Sequence, residues 1–140
     1  MPYKHAPRST IQIGHTLAFA PDDSSTYYFM DLLGSALKDV PLYRKLILPF
    51  DYRITGCAMY ESATVASSNE AWPLYIRLNN TTDYLVASLS NTDAIKWWIN
   101  TNMNIPVKST DFIEMKFVTP AWVTNPTNQK GIGYLTIEIA

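Results

Sequence analysis

Short runs that alternate apolar and polar residues recur along almost the whole chain, and they restrict it to extended structure. In the last run Gly133, Leu135, Ile137 and Ile139 alternate with Tyr134, Thr136 and Glu138. Ile113, Met115 and Phe117 alternate with Glu114 and Lys116, and Leu74, Ile76 and Leu78 with Tyr75 and Arg77. Near the start, Ile11, Ile13, His15, Leu17 and Phe19 alternate with Gln12, Gly14, Thr16 and Ala18. Successive side chains of a strand point to opposite faces, so each run writes one buried and one outward face. Turn-forming stretches separate them: Pro21-Asp22-Asp23-Ser24-Ser25, a small polar loop at 63–71, and Asn125-Pro126-Thr127-Asn128-Gln129-Lys130-Gly131.

The remaining segments fit the same scheme with two exceptions. Tyr27-Tyr28-Phe29-Met30 and residues 52–61 read as strands, as does Ile95-Lys96-Trp97-Trp98-Ile99, where β-branched and aromatic residues dominate. Adjacent Trp97 and Trp98 must then face opposite sides, one in the core and one against solvent, a ligand or a neighbouring subunit. Residues 82–90 read equally as a short helix or a strand. Pro41 suits the first turn of a short helix, with Leu42, Leu46 and Ile47 on its buried side and Pro49 ending it. The sum is about eight short strands with one or two short helices in the loops, an all-β sandwich. Periodicity alone does not order the strands.

A chain of 140 residues forms one domain with a single core. Charged residues make up 16%, against about 25% in ordinary soluble domains, while aromatics reach 13%. That bias runs in the direction of protein interfaces, which gain aromatic residues and lose Lys, Glu and Asp. The net charge of −1 provides no global basic field for nucleic acid. Cys57 is the one cysteine, which rules out an intramolecular disulfide and a cysteine metal cluster and suits a small buried hydrophobe. No apolar run reaches the roughly 20 residues of a membrane helix, and no hydrophobic leader opens the chain, so synthesis inside a cell and no membrane partner are expected. The overlapping glycosylation sequons in Asn79-Asn80-Thr81-Thr82 matter only in a secreted chain.

Catalytic chemistry finds little to work with. Of the two histidines, His5 lies in the N-terminal segment and His15 on the apolar side of the first strand, where a satisfied core histidine is the ordinary reading. No His-x-Glu pair, Gly-x-Ser-x-Gly elbow or Gly-rich phosphate loop occurs. Asp22-Asp23 could meet a cation, but adjacent carboxylates in a turn are usually solvated. The expectation is a non-enzyme without metal or cofactor. A carbohydrate-binding sandwich is the alternative, since Trp72, Trp97, Trp98 and Trp122 could stack on sugars.

The segment LKDVPLYRKLILPFDYRITGCAMYES, residues 37–62, carries a resemblance. Leu37, Asp39, Val40 and Pro41, followed by Phe50, Asp51, Tyr52, Arg53 and Ile54, resemble the strand-helix-strand core of jelly-roll capsid proteins from circovirus-like viruses, which hold circular single-stranded DNA. The pattern covers about a fifth of the chain, with a weak echo at Phe117 and Pro120. It implies a flexible N-terminal segment at 1–9, an eight-stranded jelly-roll domain at 10–140, and self-assembly of sixty copies into an icosahedral shell around a genome. By that resemblance Lys4, His5 and Arg8 would face nucleic acid, DNA or RNA, although the opening residues lack the family's Arg-rich arm. Subunit contacts are expected from the segments 21–25, 63–72, 103–110 and 119–130, above all from Trp72, Pro120, Trp122 and Pro126. The virion would be the protein's location, and a host receptor is not specified by any motif.

Overall fold

The computed structural model describes residues 10–30, 37–38, 45–127 and 129–139. Two antiparallel sheets of five strands each face one another across a shared core. The first sheet runs β1 (Thr10–Phe19), β10 (Gln129–Ile139), β4 (Tyr52–Ser62) and β7 (Ile95–Asn100), with β8 (Ile105–Val107) also on β4. Because β10 occupies one edge of β4 throughout, β7 and β8 share the other: Cys57 to Ser62 pair with β7 and Tyr52 to Ile54 with β8. The second sheet runs β3 (Leu37–Lys38), β2 (Thr26–Phe29), β9 (Ile113–Val118), β5 (Trp72–Leu78) and β6 (Thr82–Leu89).

Alternation does become burial. Ile113, Met115 and Phe117 of β9, Leu74 and Ile76 of β5, and Leu135 and Ile137 of β10 are completely buried. Burial of an aliphatic or aromatic side chain of this kind stabilises a fold by about 1.5–3 kcal/mol. The ambiguous stretch 82–90 is the strand β6, hairpinned to β5. An extra residue, Val86, bulges between Leu85 and Ala87 and turns its side chain inward.

Two expectations are corrected. Among the described residues there are ten strands rather than eight, because residues 105–107 form β8 and residues 37–38 form β3. No helix occurs among the described residues. Pro41 to Arg44 lie outside them, but Lys45 to Leu48 are extended, and Leu46 exchanges two backbone hydrogen bonds with Ile113, of 2.8 and 3.1 Å. Leu46, Leu48 and Phe50 pack against the core while Ile47 is 65% exposed. The period of two persists through this stretch, since a neighbouring strand satisfies its backbone where a lone helical turn would be marginal.

Aromatic rings tie the sheets together. Trp72 on β5 meets Trp98 on β7 edge to face at 4.9 Å, and Trp98 Nε1 donates to the Trp72 carbonyl at 2.9 Å. Phe117 lies 4.8 Å from Trp98 and 5.1 Å from Trp72, and Trp122 closes the cluster 5.0 Å from Trp72. Each such ring pair adds about 0.5–1.5 kcal/mol beyond its burial.

Candidate assembly face

The two sheets present very different outward faces. In the second, Tyr28, Tyr75, Arg77, Asp83, Glu114 and Lys116 point away from the core, and the charges are paired with one another. Lys116 meets Asp83 at 2.7 Å, and Arg77 lies 3.8 Å from the same carboxylate. Arg77 also donates to the Tyr28 hydroxyl at 3.0 Å and to the Asn80 carbonyl at 2.6 Å. Lys45 reaches Glu114 at 2.9 Å. Glu114 is buried, which pushes its carboxyl upward, and the Lys45 cation opposes that shift. Lys116 sits 5.6 Å from the Tyr75 ring centre, a cation–π contact. This face holds its charges in pairs, with Leu85 its one large exposed apolar side chain among the described residues.

The first sheet is not. The residues of β7 alternate so that Lys96 and Trp98 are buried while Ile95, Trp97 and Ile99 are 51%, 54% and 50% exposed. Register places Trp97 opposite Tyr60, Ile99 opposite Ala58 and Ile95 opposite Ser62. On the other side of β4, Tyr60 faces Ile132 and Ala58 faces Tyr134, which are 42% and 41% exposed. The Tyr60 and Trp97 rings lie 4.7 Å apart. The central outward positions, Gln12 to Thr16 on β1, Ile132 to Thr136 on β10, Thr55 to Tyr60 on β4 and Trp97 to Ile99 on β7, carry no charge; Lys130, in the row of Ala18, Ser62 and Ile95, stands at one end, and Arg53 and Glu138 at the other.

Beside this ridge is a hollow of about 350 Å³, bordered by Gln12, Thr55, Ala58, Thr101, Tyr134 and Thr136. Its shape follows from the sequence. Gly56 puts no side chain on the sheet, and the register of β4 against β10 slips beside it, between Thr136 and Ile137. Gly14 lies under the Tyr134 ring, where an added Cβ would stand 3.4 Å from Cε1.

Two buried charged residues lie beneath the face. Glu61 is fully buried, and neither carboxylate oxygen has a hydrogen-bond partner. Desolvation pushes its carboxyl up to about 9. Lys96, its cross-strand neighbour, instead donates to the Asn91 carbonyl and side-chain oxygen at 2.8 and 2.7 Å. Burial lowers the Lys96 pKa, partly offset by Asp93.

The residues singled out from sequence have mixed fates. Lys4, His5 and Arg8 lie outside the described residues, as does the His15 side chain. Trp72 and Trp122 are 1% and 5% exposed, so their rings belong to the core and not to a subunit contact. Their edge-to-face contact draws Trp122 of the 119–127 loop inward. Pro126 is also buried and Pro120 half-buried, while Ala121, Thr124, Thr127 and above all Val123, at 87% exposure, face outward. Hydrogen bonds hold the loop down, with Thr119 N–H on the Ser25 carbonyl at 2.8 Å and Ser68 N–H on the Thr124 carbonyl at 3.0 Å. Of the turn carboxylates, Asp22 pairs with Lys38 at 3.0 Å and Asp23 accepts the Trp122 N–H at 3.2 Å. Sequence reasoning pointed outward with one of the Trp97-Trp98 pair but missed Tyr60, Ile95, Ile99, Ile132 and Tyr134 beside it. The available signal was that 95–99 is apolar at its odd positions as well as at Trp98.

No protein-family model matches the chain, and no curated protein matches it. Among solved structures it is similar to the nucleoplasmin-like N-terminal domain of Drosophila FKBP39, at 9% identity over 94% of this chain and 90% of that one, with a TM-score of 0.37. It is also similar to a chain of infectious bursal disease virus, Gx strain, at 9% identity and a TM-score of 0.42. That match covers 94% of this chain and 32% of the viral one, so the chain spans about a third of the viral chain's length. Both are weak likenesses.

Proposed function

We propose that this chain is a coat subunit that assembles with copies of itself into a closed shell around a nucleic-acid genome. The observation that carries the reading is the apolar, uncharged centre of the first sheet's outward face, set against a second sheet whose outward charges are already paired. Large apolar patches on a soluble domain mark surfaces that something covers. Assembly rather than chemistry is the mechanism: many modest contacts close a symmetric shell.

Strand order supports a jelly roll as the architecture. The first strand lies beside the last and β10 beside β4, while in the facing sheet β2 lies beside β9 and β9 beside β5. Two nested antiparallel keys of this kind make the double-sheet jelly roll, a fold used by viral coats and by lectins. In this reading β7 and β8 are two halves of one strand and β3 is an addition at the edge. The circovirus-like pattern supports it in part: Asp39, Val40 and Pro41 lie outside the described residues, while Tyr52, Arg53 and Ile54 open β4, and Arg53 donates to the Asn104 side chain in a structural role. Most described cations already have partners, so phosphate neutralisation is assigned to the segment holding Lys4, His5 and Arg8.

Negative-stain electron microscopy of the purified chain, with absorbance at 260 and 280 nm, tests the reading. Uniform closed shells are the expected result, with a raised 260/280 ratio if nucleic acid is enclosed. A monodisperse small species at every salt and pH tried would overturn it.

The neighbouring Tyr60 and Trp97 rings favour a second reading, a carbohydrate-binding sandwich, because exposed aromatics can stack on sugars. Ile95, Ile99 and Ile132 around them offer a sugar hydroxyl no hydrogen bond, which makes this the weaker reading. Saturable quenching of Trp97 emission by soluble polysaccharide would favour it.

A further inference from the structure

We infer that the outward face of the first sheet is a two-fold, self-complementary contact that pairs this chain with a second copy. The inference rests on the self-assembly reading above and adds which surface meets which, and with what symmetry.

Area comes first. Ile95, Trp97, Ile99, Ile132 and Tyr134 are 41–54% exposed. At about 150–250 Å² for each large side chain, they uncover roughly 500 Å² of mostly apolar surface per copy. Two such faces in contact remove about 1,000 Å² from water, which meets the threshold for a specific interface before any rim is counted.

Shape then selects the partner. The ridge of Ile95, Trp97, Tyr60 and Ile132 runs directly beside the 350 Å³ hollow. Ala58 is the boundary between them, with Ile99 on one side and Tyr134 on the other. A face with a projection next to a recess fits itself after a two-fold rotation, so that each copy's ridge enters the other's hollow. The hollow is bordered by hydroxyl, amide and small side chains without charge, so an entering indole or isoleucine strips no ion of its water. A head-to-tail contact would need a recess elsewhere. The hollow of about 400 Å³ at Tyr52, Pro106, Val107 and Ile139 is bordered by the charged Asp51, Arg53, Lys108 and Glu138, and the second sheet's outward face offers ion pairs; burying charges against Trp97 would carry a desolvation penalty in either place. The face fits its own copy better than it fits the rest of the molecule.

Sedimentation equilibrium of the full chain tests this, with Trp97→Glu and Ile132→Lys on the face and Leu85→Glu as the control. Leu85 is 51% exposed on the outward face of the second sheet. Dimers, or shells that dissociate through dimers, are expected for the wild type and for Leu85→Glu. Both face variants are expected to associate at least about tenfold more weakly, since a central aromatic anchor of an interface commonly contributes that much. Near-UV circular dichroism from the buried indoles confirms that the variants fold. Trp97 adds a local signal, because Trp72, Trp98 and Trp122 are at most 5% exposed. Its emission should shift to the red on dilution, and Trp97→Phe should abolish that shift. A wild type that stays monomeric, or a folded Trp97→Glu chain that associates as tightly as wild type, would overturn the inference. Shells that persist in Trp97→Glu would remove this contact and leave the coat reading standing; dimers without shells would do the reverse.

Discussion

Glu61 and Gly131 form one unit at the residue scale. They are directly opposed between β4 and β10, and a Cβ on Gly131 would lie 2.1 Å from the Tyr60 carbonyl oxygen and 2.6 Å from the Glu61 carboxyl carbon. The missing side chain is the space the carboxyl occupies. Gly131→Ala should therefore destabilise the fold by about 3 kcal/mol, as overpacking against backbone leaves nothing soft to move; denaturant midpoints check this. Glu61 itself opposes folding at neutral pH. Its folded pKa of about 9 lies above the ordinary 4.5, so unfolding releases a proton between those values and stability falls as pH rises through that window. The contribution is most favourable below the ordinary value and declines by about 1.4 kcal/mol per pH unit until the folded carboxyl ionises. Glu61→Gln should be more stable than wild type at neutral pH, with the advantage widening toward pH 9 and vanishing near pH 4. Urea unfolding across that range reads the slope; equal stability at all pH values would mean that the carboxyl has a partner.

Elements here owe their shape to a few local choices. The β5–β6 hairpin turns at Asn79 and Asn80, with φ of 51° and 59°, and Thr81 N–H closes it on the Leu78 carbonyl at 3.0 Å. Both central residues are left-handed, which suits the twist of the flanking strands and which Asn tolerates well. Asn79 also reaches the turn before β9: its amide donates to Asp111 at 2.9 Å and its carbonyl oxygen accepts the Phe112 N–H at 3.0 Å. Asn79→Ala removes both bonds and the left-handed preference, and should lower stability by about 2 kcal/mol. Asn80→Gly, which keeps the turn and frees its φ, should be tolerated. Thermal unfolding of the two variants compares them. The stretch 45–50 makes the opposite point, because Leu46, Leu48 and Phe50 suit a strand as well as Leu42 and Leu46 suit a helix. Ile113, distant in sequence, decides between them by taking both backbone hydrogen bonds of Leu46.

The molecule as a whole is two-faced. The second sheet's outward surface holds its charges in pairs, and the first sheet's exposes isoleucine, tryptophan and tyrosine with charge only at its ends. Association through the first sheet's face depends on apolar burial, which salt does not screen. Self-association should therefore survive a rise from about 0.1 to 1 M sodium chloride. Light scattering along that titration checks it; dissociation by salt would mean that ion pairs hold the copies together.

Alternation was enough to read the all-β class, the inward residues of β5, β9 and β10, and the opposite orientations of Trp97 and Trp98. Each of these needs nothing but the period of an extended chain. Strand order, the ten-strand count and the extended course of 45–48 came from contacts between distant segments, which no local window contains. The same holds for the candidate face. Tyr60, Trp97 and Ile132 come from three strands and become neighbours only through the register of β4 against β7 and β10. Trp72 and Trp122 were misjudged for that reason too, since an aromatic residue in or beside a loop is inward or outward according to the ring it finds across the sandwich, and sequence does not carry that distance.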